Sequence, residues 1–511
     1  MTLIHSRWLP PALFFLIWLG LSVAAGDRFL RDPGTFWHVA TGEKLLHGDF
    51  VNADPYTFTR AGEWWIPYQW LGEVVMAVAH RVGGFDAVLT LAVVTVAGLF
   101  AWLTTRMLRT GLHPVFGVAV VMLALAAAAS HFHARPLLFS TVCMAVTMYA
   151  ICQYDAGKIG LRQLAMLIPL FAIWTNFHGG MLGGLTTLGL AGIGWTLWAV
   201  AGRHSPIAGV RAAVGLGIVG ICCGLTAFVT PYGTDLAKTW MLIMNMPHLP
   251  DLIQEHARME LADRRNWPML ALAGVYMFAL AGVSRRDVRV AWLVPLFWLA
   301  QAFLRVRHGS LFAVVATVAL IDLWPHTRWA RWLAVHRPDA YVPPTAPERG
   351  SAVGILLAAV IAVAVSWILQ AKQVEVPGIG YKSAKFDAKA WPFDLLDVIR
   401  DHEPKSPGRT VNIFNDYSDG GFLIHYAPGY RVFVDDRCEV FGDDWLVEFV
   451  LANEGGTADA MAKWEAKYPR WEYALTRHDT GFDEYFHTRP AEWRLLKKGE
   501  VGSFYERAKG K

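Results

Sequence analysis

For its first 371 residues the chain alternates long apolar runs with short polar gaps, and then its pattern changes. A bilayer span needs about 20 consecutive apolar residues. Eleven stretches approach this requirement: 8–26, 86–108, 113–131, 137–153, 160–176, 181–201, 208–230, 266–283, 288–304, 308–324 and 351–371. They predict a polytopic α-helical membrane region over residues 1–371. The first run follows Arg7 and ends in Val23-Ala24-Ala25-Gly26, which resembles a signal-peptide cleavage site. It is longer than a usual signal core and many runs follow it, so an uncleaved anchor is expected.

Two longer segments interrupt this rhythm. Residues 27–85 form a first loop rich in Trp37, Trp64, Trp65, Tyr68 and Trp70, rings that suit a membrane interface. Short surface helices are expected at Ala40–Leu46 and Trp70–Val82. The second segment, 231–265, predicts similar helices at Leu236–Met244 and Leu252–Leu261.

Residues 372–511 read as a separate soluble domain. Helices are expected over 391–402, from Phe422, over Trp445–Ala452 and over Ala458–Tyr468. Strands are expected at Thr410–Phe414, Arg431–Val434, Trp471–Thr476, Trp493–Lys497 and Ser503–Tyr505. Alternating strands and helices predict a small α/β sheet.

Composition supports this division. The chain is 54% hydrophobic and only 17% charged, with a mean hydropathy of +0.33. Of its 46 Lys and Arg and 42 Asp and Glu, half lie in residues 371–511. A single soluble enzyme, a fibrous protein and a disordered chain are excluded. The net charge of +4 and the lack of a basic tract give no support for nucleic-acid binding. Five cysteines, four of them in or beside apolar runs, offer neither a disulfide framework nor a CxxC metal site. No GxGxxG or Walker loop is present, so no nucleotide site is expected.

Orientation follows from basic residues in short loops. Arg7, Arg106, Arg109, Lys158, Arg162, Arg203, Arg211, Arg285, Arg286, Arg289, Arg328, Arg331 and Arg337 fall at every second loop. These loops are expected in the cytoplasm with the N-terminus. Eleven spans then place residues 372–511 outside.

Ionisable groups near a bilayer are costly, so their placement is informative. Asp32 and His38 lie in the first loop. His131, His133 and Arg135 end the third span, Asn176 and His178 the fifth, and Arg305, Arg307 and His308 the ninth. Thr230, Tyr232 and Asp235 follow the seventh. On this topology all five clusters share the outer side. A carboxylate there suits a general base, and arginines there suit a phosphate or diphosphate. Interfacial Trp and Tyr rings suit sugars. The combination predicts transfer of a sugar from a polyprenyl-phosphate donor.

Asp32-Pro33-Gly34-Thr35-Phe36-Trp37-His38, followed by Thr41-Gly42-Glu43, resembles the acidic first-loop motif of the GT-C membrane glycosyltransferases. That superfamily includes protein mannosyltransferases and oligosaccharyltransferase catalytic subunits. The chain resembles a poorly characterised bacterial branch of it. His133-Ala134-Arg135-Pro136, Asn176-Phe177-His178-Gly179-Gly180, Thr230-Pro231-Tyr232-Gly233 and Arg305-Val306-Arg307-His308 belong to the same resemblance. So do Tyr417-Ser418-Asp419-Gly420-Gly421 and Val434-Asp435-Asp436-Arg437. The resemblance implies an inverting enzyme of the bacterial inner membrane that acts at its outer face. Its partners would be a lipid-linked sugar donor, membrane lipids, and a glycan, lipid or protein acceptor. It implies catalysis by Asp32 with His38, donor-phosphate binding by Arg135, Arg305 and Arg307, and substrate binding by Asn176, His178 and Tyr232. The commoner motif carries a second acid two positions after the first, where this chain has Gly34. Metal-independent chemistry without a cofactor is therefore expected.

Simpler roles compete at each position. Asp32-Pro33 suits a helix start. The i,i+2 spacing of His131 and His133 puts them on different faces of a helix, which argues against a metal. Arginines at span ends can snorkel to head groups. Asp435, Asp436 and Arg437 read as a strand-end ion pair. Two other classes remain: a transporter or flippase of lipid-linked saccharides, and a non-catalytic envelope assembly protein. A transporter predicts charges near mid-bilayer and broken, repeated helices, whereas the polar clusters here sit at span ends.

Overall fold

The computed structural model describes residues 6–248, 256–339, 341–344, 350–406 and 408–508. It is a polytopic helical bundle carrying a C-terminal sheet domain. Helix forms at each of the eleven predicted positions, as it must where lipid cannot satisfy backbone groups. Among the described residues, seven helices are long and apolar enough to cross a membrane: Trp70–Met107, Pro114–His131, Leu137–Asp155, Met181–Val200, Val210–Phe228, His308–His326 and Ser351–Ala371. Leu9–Ala24, Leu161–Phe177 and Val290–Leu304 are apolar but shorter, and Trp267–Ala281 has 15 residues.

His308–His326 is the most enclosed of the seven, with 72% of its apolar window buried against 22% for Ser351–Ala371. Its Ala313, Val314, Val315, Ala316, Val318 and Ala319 are small enough for neighbouring helices to approach closely. At the end of the bundle away from the first loop, Asp322 accepts from Lys158, Arg289 and the Trp292 indole.

The first loop folds into helix Gly34–Leu46, longer than the predicted Ala40–Leu46, followed by irregular chain closed by a bridge between Ala53 and Trp64. Trp70–Val82 is helical but continues into the next span. The merged helix Trp70–Met107 breaks at Gly83 and Gly84, and Gly84 has a φ of +62° that favours glycine. Leu236–Met244 is met by helix Asp235–Met244. Of the predicted Leu252–Leu261, residues 252–255 lie outside the described residues, and 256–261 form no α-helix. Helix Arg328–His336 was not expected from the apolar pattern, because it is short and strongly basic.

The C-terminal sheet contains β1 (Val411–Asn415), β2 (Tyr430–Val432), β3 (Tyr473–Arg477), β4 (Trp493–Lys498) and β5 (Gly502–Arg507). Their order is β2-β1-β3-β5-β4, parallel across the first three and antiparallel thereafter. All five strands fall where the sequence predicts them. Phe414, Phe433, Trp464, Trp471 and Phe482 form an aromatic core behind the sheet.

The first loop and this domain interlock. Thr57 bridges Val432 in parallel, so the loop adds an extended segment to the β2 edge. Val432 donates to Tyr56 and Phe58 donates to Val432, each at 3.1 Å. The Trp391 indole donates to the Leu30 carbonyl, and Phe36 packs among Phe386, Trp391 and Phe422. Arg437, with no exposure, forms ion pairs to Asp54 at 2.7 Å and Asp435 at 2.6 Å. Its guanidinium lies over the rings of Tyr56 and Trp65. Removing one partner from such a buried network costs about 3–5 kcal/mol.

Candidate active site

Asp32 sits in the turn before helix Gly34–Leu46, and its two carboxylate oxygens have different partners. Oδ1 accepts from the Gly34 amide at 2.8 Å, an Asx-type turn that fixes the rotamer. Oδ2 accepts from Arg135 Nη1 at 2.9 Å. The side chains are 7% and 22% exposed, so this ion pair is largely withdrawn from solvent. Arg135 reaches Asp32 because the segment after the third span is tied to the first loop: Ala134 donates to the Phe29 carbonyl at 2.7 Å.

Gly34 explains the missing second acid of the motif. A Cβ there would lie 3.1 Å from the Arg135 guanidinium carbon and 2.8 Å from Asp32 Oδ1. The glycine leaves room for the arginine to close on the carboxylate. Among the described residues no group of three or more His, Cys, Asp or Glu could hold a metal.

Arg135 also borders a cavity of about 190 Å³ between helices Trp70–Met107 and Leu137–Asp155. Val75, Met76, Leu91, Leu138 and Phe139 line it. An apolar slot ends at one guanidinium whose other side meets a carboxylate.

The ends of the third, fifth and seventh spans gather around the first loop. Asn176 Oδ1 accepts from the Trp70 indole at 2.6 Å, and its amide donates to the Ala172 and Val229 carbonyls. That amide joins the loop to the ends of two spans. His178 Nδ1 accepts from the Gly180 amide at 2.8 Å and lies 2.9 Å from Ser140 Oγ. The Tyr232 hydroxyl is buried without a hydrogen-bond partner among the described residues, and its ring lies 6.4 Å from that of Phe50.

His38 is more deeply enclosed than a loop histidine would suggest. Its Nδ1 is 3.0 Å from Glu73 Oε1, both side chains have almost no exposure, and its ring lies against Trp37. Burial holds its pKa well below the ordinary value, and the nearby positive groups Arg135, His178 and Arg437 push the same way. The imidazole is neutral at pH 7 and ties helix Gly34–Leu46 to Glu73 of helix Trp70–Met107.

The ninth-span arginines are less tightly gathered. Arg307 Nη1 lies 2.6 Å from His256 Nε2. Arg305, half-buried, follows the last turn of helix Val294–Leu304.

The C-terminal domain enters the site directly. Gly421 fits against the Pro33 carbonyl and Gly420 against the Val434 carbonyl, positions where a methyl group would collide. Asp435 and Arg437 form the expected strand-end ion pair, but Asp436 does not join it. Its Oδ1 has no hydrogen-bond partner among the described residues, and burial pushes its carboxyl up to about 8. Glu439 accepts from the Trp65 indole at 2.9 Å. Reading the three residues as one ion pair hid Asp436. The available signal was its position, one residue from each member of a pair that faces the other way.

Among solved structures, the chain matches the Archaeoglobus fulgidus oligosaccharyltransferase tethered with an acceptor peptide containing the NVT sequon. The TM-score is 0.52 at 12% identity, and the match covers 100% of this chain and 75% of that one. ArnT from Cupriavidus metallidurans bound to undecaprenyl phosphate matches with a TM-score of 0.47 at 14% identity over 97% of both chains. Neither a protein-family model nor a curated protein sequence matches the chain. The chain shares the fold of the Archaeoglobus fulgidus oligosaccharyltransferase.

Proposed function

We propose that this chain is a membrane glycosyltransferase that moves a sugar from a polyprenyl-phosphate donor to an extracytoplasmic acceptor, with inversion at the anomeric carbon. The observation that carries this reading is the Asp32–Arg135 pair at the head of an apolar slot. The slot suits an isoprenoid chain, and the planar guanidinium suits a phosphate. Arg307, and Arg305 behind it, supply further positive charge on the same side. Asn176, His178 and Tyr232 shape the wall around the sugar and acceptor.

The pairing suggests how the donor prepares the base. Arg135 holds Oδ2 of the Asp32 carboxylate. A donor phosphate competes for the same guanidinium, and as Arg135 turns to it that oxygen is freed to face the acceptor hydroxyl. Asp32 then takes the proton of the acceptor hydroxyl. The acceptor oxygen attacks the anomeric carbon opposite the phosphate, the C1–O bond breaks, and its electron pair leaves on the polyprenyl phosphate. Arg135 faces the charge that develops there. No metal and no cofactor enters these steps. His38 holds helix Gly34–Leu46 against Glu73 rather than exchanging protons with substrate. The membrane is the bacterial inner membrane, with the N-terminus in the cytoplasm and the C-terminal domain outside. The acceptor is a glycan, a lipid or a protein.

Purified protein incubated with a panel of polyprenyl-phosphate sugars tests this reading. Sugar transfer or release from at least one donor is expected. Inertness towards every donor, with the protein folded and acceptors of all three classes supplied, would sink it.

A further inference from the structure

Residues 156–234 contain Lys158, Arg162, Arg203 and Arg211 but no Asp or Glu. All four basic residues lie at helix ends away from the first loop. The opposite ends carry Asn176 and Val229, joined to each other by a hydrogen bond and to the first loop through Trp70. Lys158 pairs with Asp322. Arg203 and Arg211 are exposed and have no acidic partner among the described residues, and the Arg203 guanidinium lies 5.2 Å from the centre of the Trp198 ring.

A cavity of about 490 Å³ opens between helices Met181–Val200 and Val210–Leu225, more than twice the volume of the slot at Arg135. Leu185, Leu188, Leu197, Ile207 and Leu216 line it. The hydroxyl of Thr196, also in the lining, already donates to the Gly192 carbonyl, so the walls suit hydrocarbon alone. The stretch from Leu185 to Leu197 rises about 18 Å, a little more than one leaflet of an about 30 Å hydrocarbon core. Only 28% of the apolar window of either helix is buried, so the cavity opens towards lipid. Glycine in a bundle usually lets a neighbouring helix approach. Here a Cβ on Gly189, Gly217 or Gly220, all in the lining, would meet no neighbouring atom within 4 Å.

The basic end of the cavity is lined by Ile207 and Ala213. Ile207 shares with Arg203 the loop between the two helices, and Ser205 Oγ folds that loop back by donating to the Trp195 carbonyl at 2.8 Å. Ala213 follows Arg211 by half a turn. The groove therefore fits a molecule with a hydrocarbon chain and an anionic head. The slot at Arg135 lies at the other end of the bundle, so a donor lipid seated there keeps its phosphate away from these arginines. A second copy related by a two-fold axis along the membrane normal would set arginine against arginine across the groove.

We propose that this groove holds an acyl chain of an anionic phospholipid, whose head-group phosphate lies on Arg203 and Arg211 at the end of the bundle away from the first loop. The planar guanidinium forks suit that phosphate, and basic pockets between spans attract anionic head groups. The lipid packs two sparsely buried helices against the bundle.

The experiment titrates the detergent-solubilised full chain with dioleoylphosphatidylglycerol and, as a zwitterionic control, dioleoylphosphatidylcholine. Bound lipid is counted by native mass spectrometry. Wild type is expected to bind the phosphatidylglycerol about tenfold or more tighter. Arg203→Gln with Arg211→Gln should erase this preference and leave phosphatidylcholine binding unchanged. Gly189→Leu with Gly217→Leu fills the groove and should weaken both lipids by about tenfold or more; leucine also favours helix, which protects the fold. Equal binding of the two lipids by wild type overturns the proposal, as does a preference that survives in the glutamine variant. Lipid binding at the wild-type level in the leucine variant places the lipid elsewhere and overturns it too. A wild-type dimer that the leucine variant splits assigns the groove to a second copy. Displacement of phosphatidylglycerol by equimolar undecaprenyl phosphate assigns it to a polyprenyl lipid. Either result overturns the proposal.

Discussion

The Asp32 carboxylate is tied by one oxygen to its own turn and by the other to an arginine from a different span. The first contact is geometric and the second electrostatic, so substitutions separate them. At Arg135 and Arg307, lysine keeps the charge but loses the planar fork. Arg135→Lys should raise the donor dissociation constant by about tenfold or more and leave turnover at saturation less affected, measured by donor titration of the transfer rate. Arg307→Lys should act in the same direction with a smaller effect, because Arg307 already lies against His256. A pure turnover defect in Arg135→Lys would remove it from the phosphate. At this scale the sequence revealed which residues carry charge at span ends, but not their pairing. Gly34 stood out as a departure from the paired-acid motif. Its reason, the approach of a guanidinium from residue 135, lies 101 positions away and leaves no local trace.

The elements that were legible are those whose environment writes a simple code. Lipid demands uniform apolar runs, and each predicted run is helical. Strands β1 to β5 announced themselves through short β-branched and aromatic stretches between turn residues. Helix Gly481–His487 did not, since its apolar positions are few. Its one signal is Thr480, whose hydroxyl caps the Asp483 amide. The Thr57–Val432 bridge was invisible because a lone extended segment in a loop has no periodicity to read. The junction it belongs to depends on Arg437. Arg437→Leu leaves Asp54 and Asp435 buried without their partner, a loss of about 3–5 kcal/mol. The expected result is a lower thermal unfolding midpoint and faster proteolysis of the C-terminal domain, while the membrane bundle stays intact. An unchanged midpoint would mean that the two units hold together without this arginine.

For the whole molecule, the C-terminal domain is seated on the first loop, and buried histidines lie on both sides of that seating. Burial pushes the His425 pKa down to about 3, with His80 and Arg400 acting in the same direction, and it holds His38 well below its usual value. Both rings are neutral in the folded protein, whereas the unfolded chain protonates them near pH 6.5. Below that pH the unfolded state binds more protons at these two rings, so their contribution to stability falls as pH falls, by about 1.4 kcal/mol per pH unit for each on the way down towards the folded pKa. The carboxyls of Glu73 and Asp419, pushed upward by burial and in Asp419 to about 6, act in the opposite sense. Thermal unfolding at pH 7.5 and 5.5 should show that His425→Phe loses less stability on acidification, or gains more, than wild type; an identical pH response in the two would contradict this role. The division into a membrane region and a soluble domain was legible in the charge distribution. The dependence of one on the other was not, because contacts between residues 32–65 and 391–437 are made only in the folded chain. The central claim is that the carboxylate at this junction activates an acceptor against a lipid-linked sugar. The most direct test is the single-turnover transfer rate of Asp32→Asn with donor already bound. A fall of about 10²–10⁴-fold in folded, donor-loaded protein is predicted for loss of a general base. Transfer at the wild-type rate would make Asp32 a turn-forming residue and contradict the account.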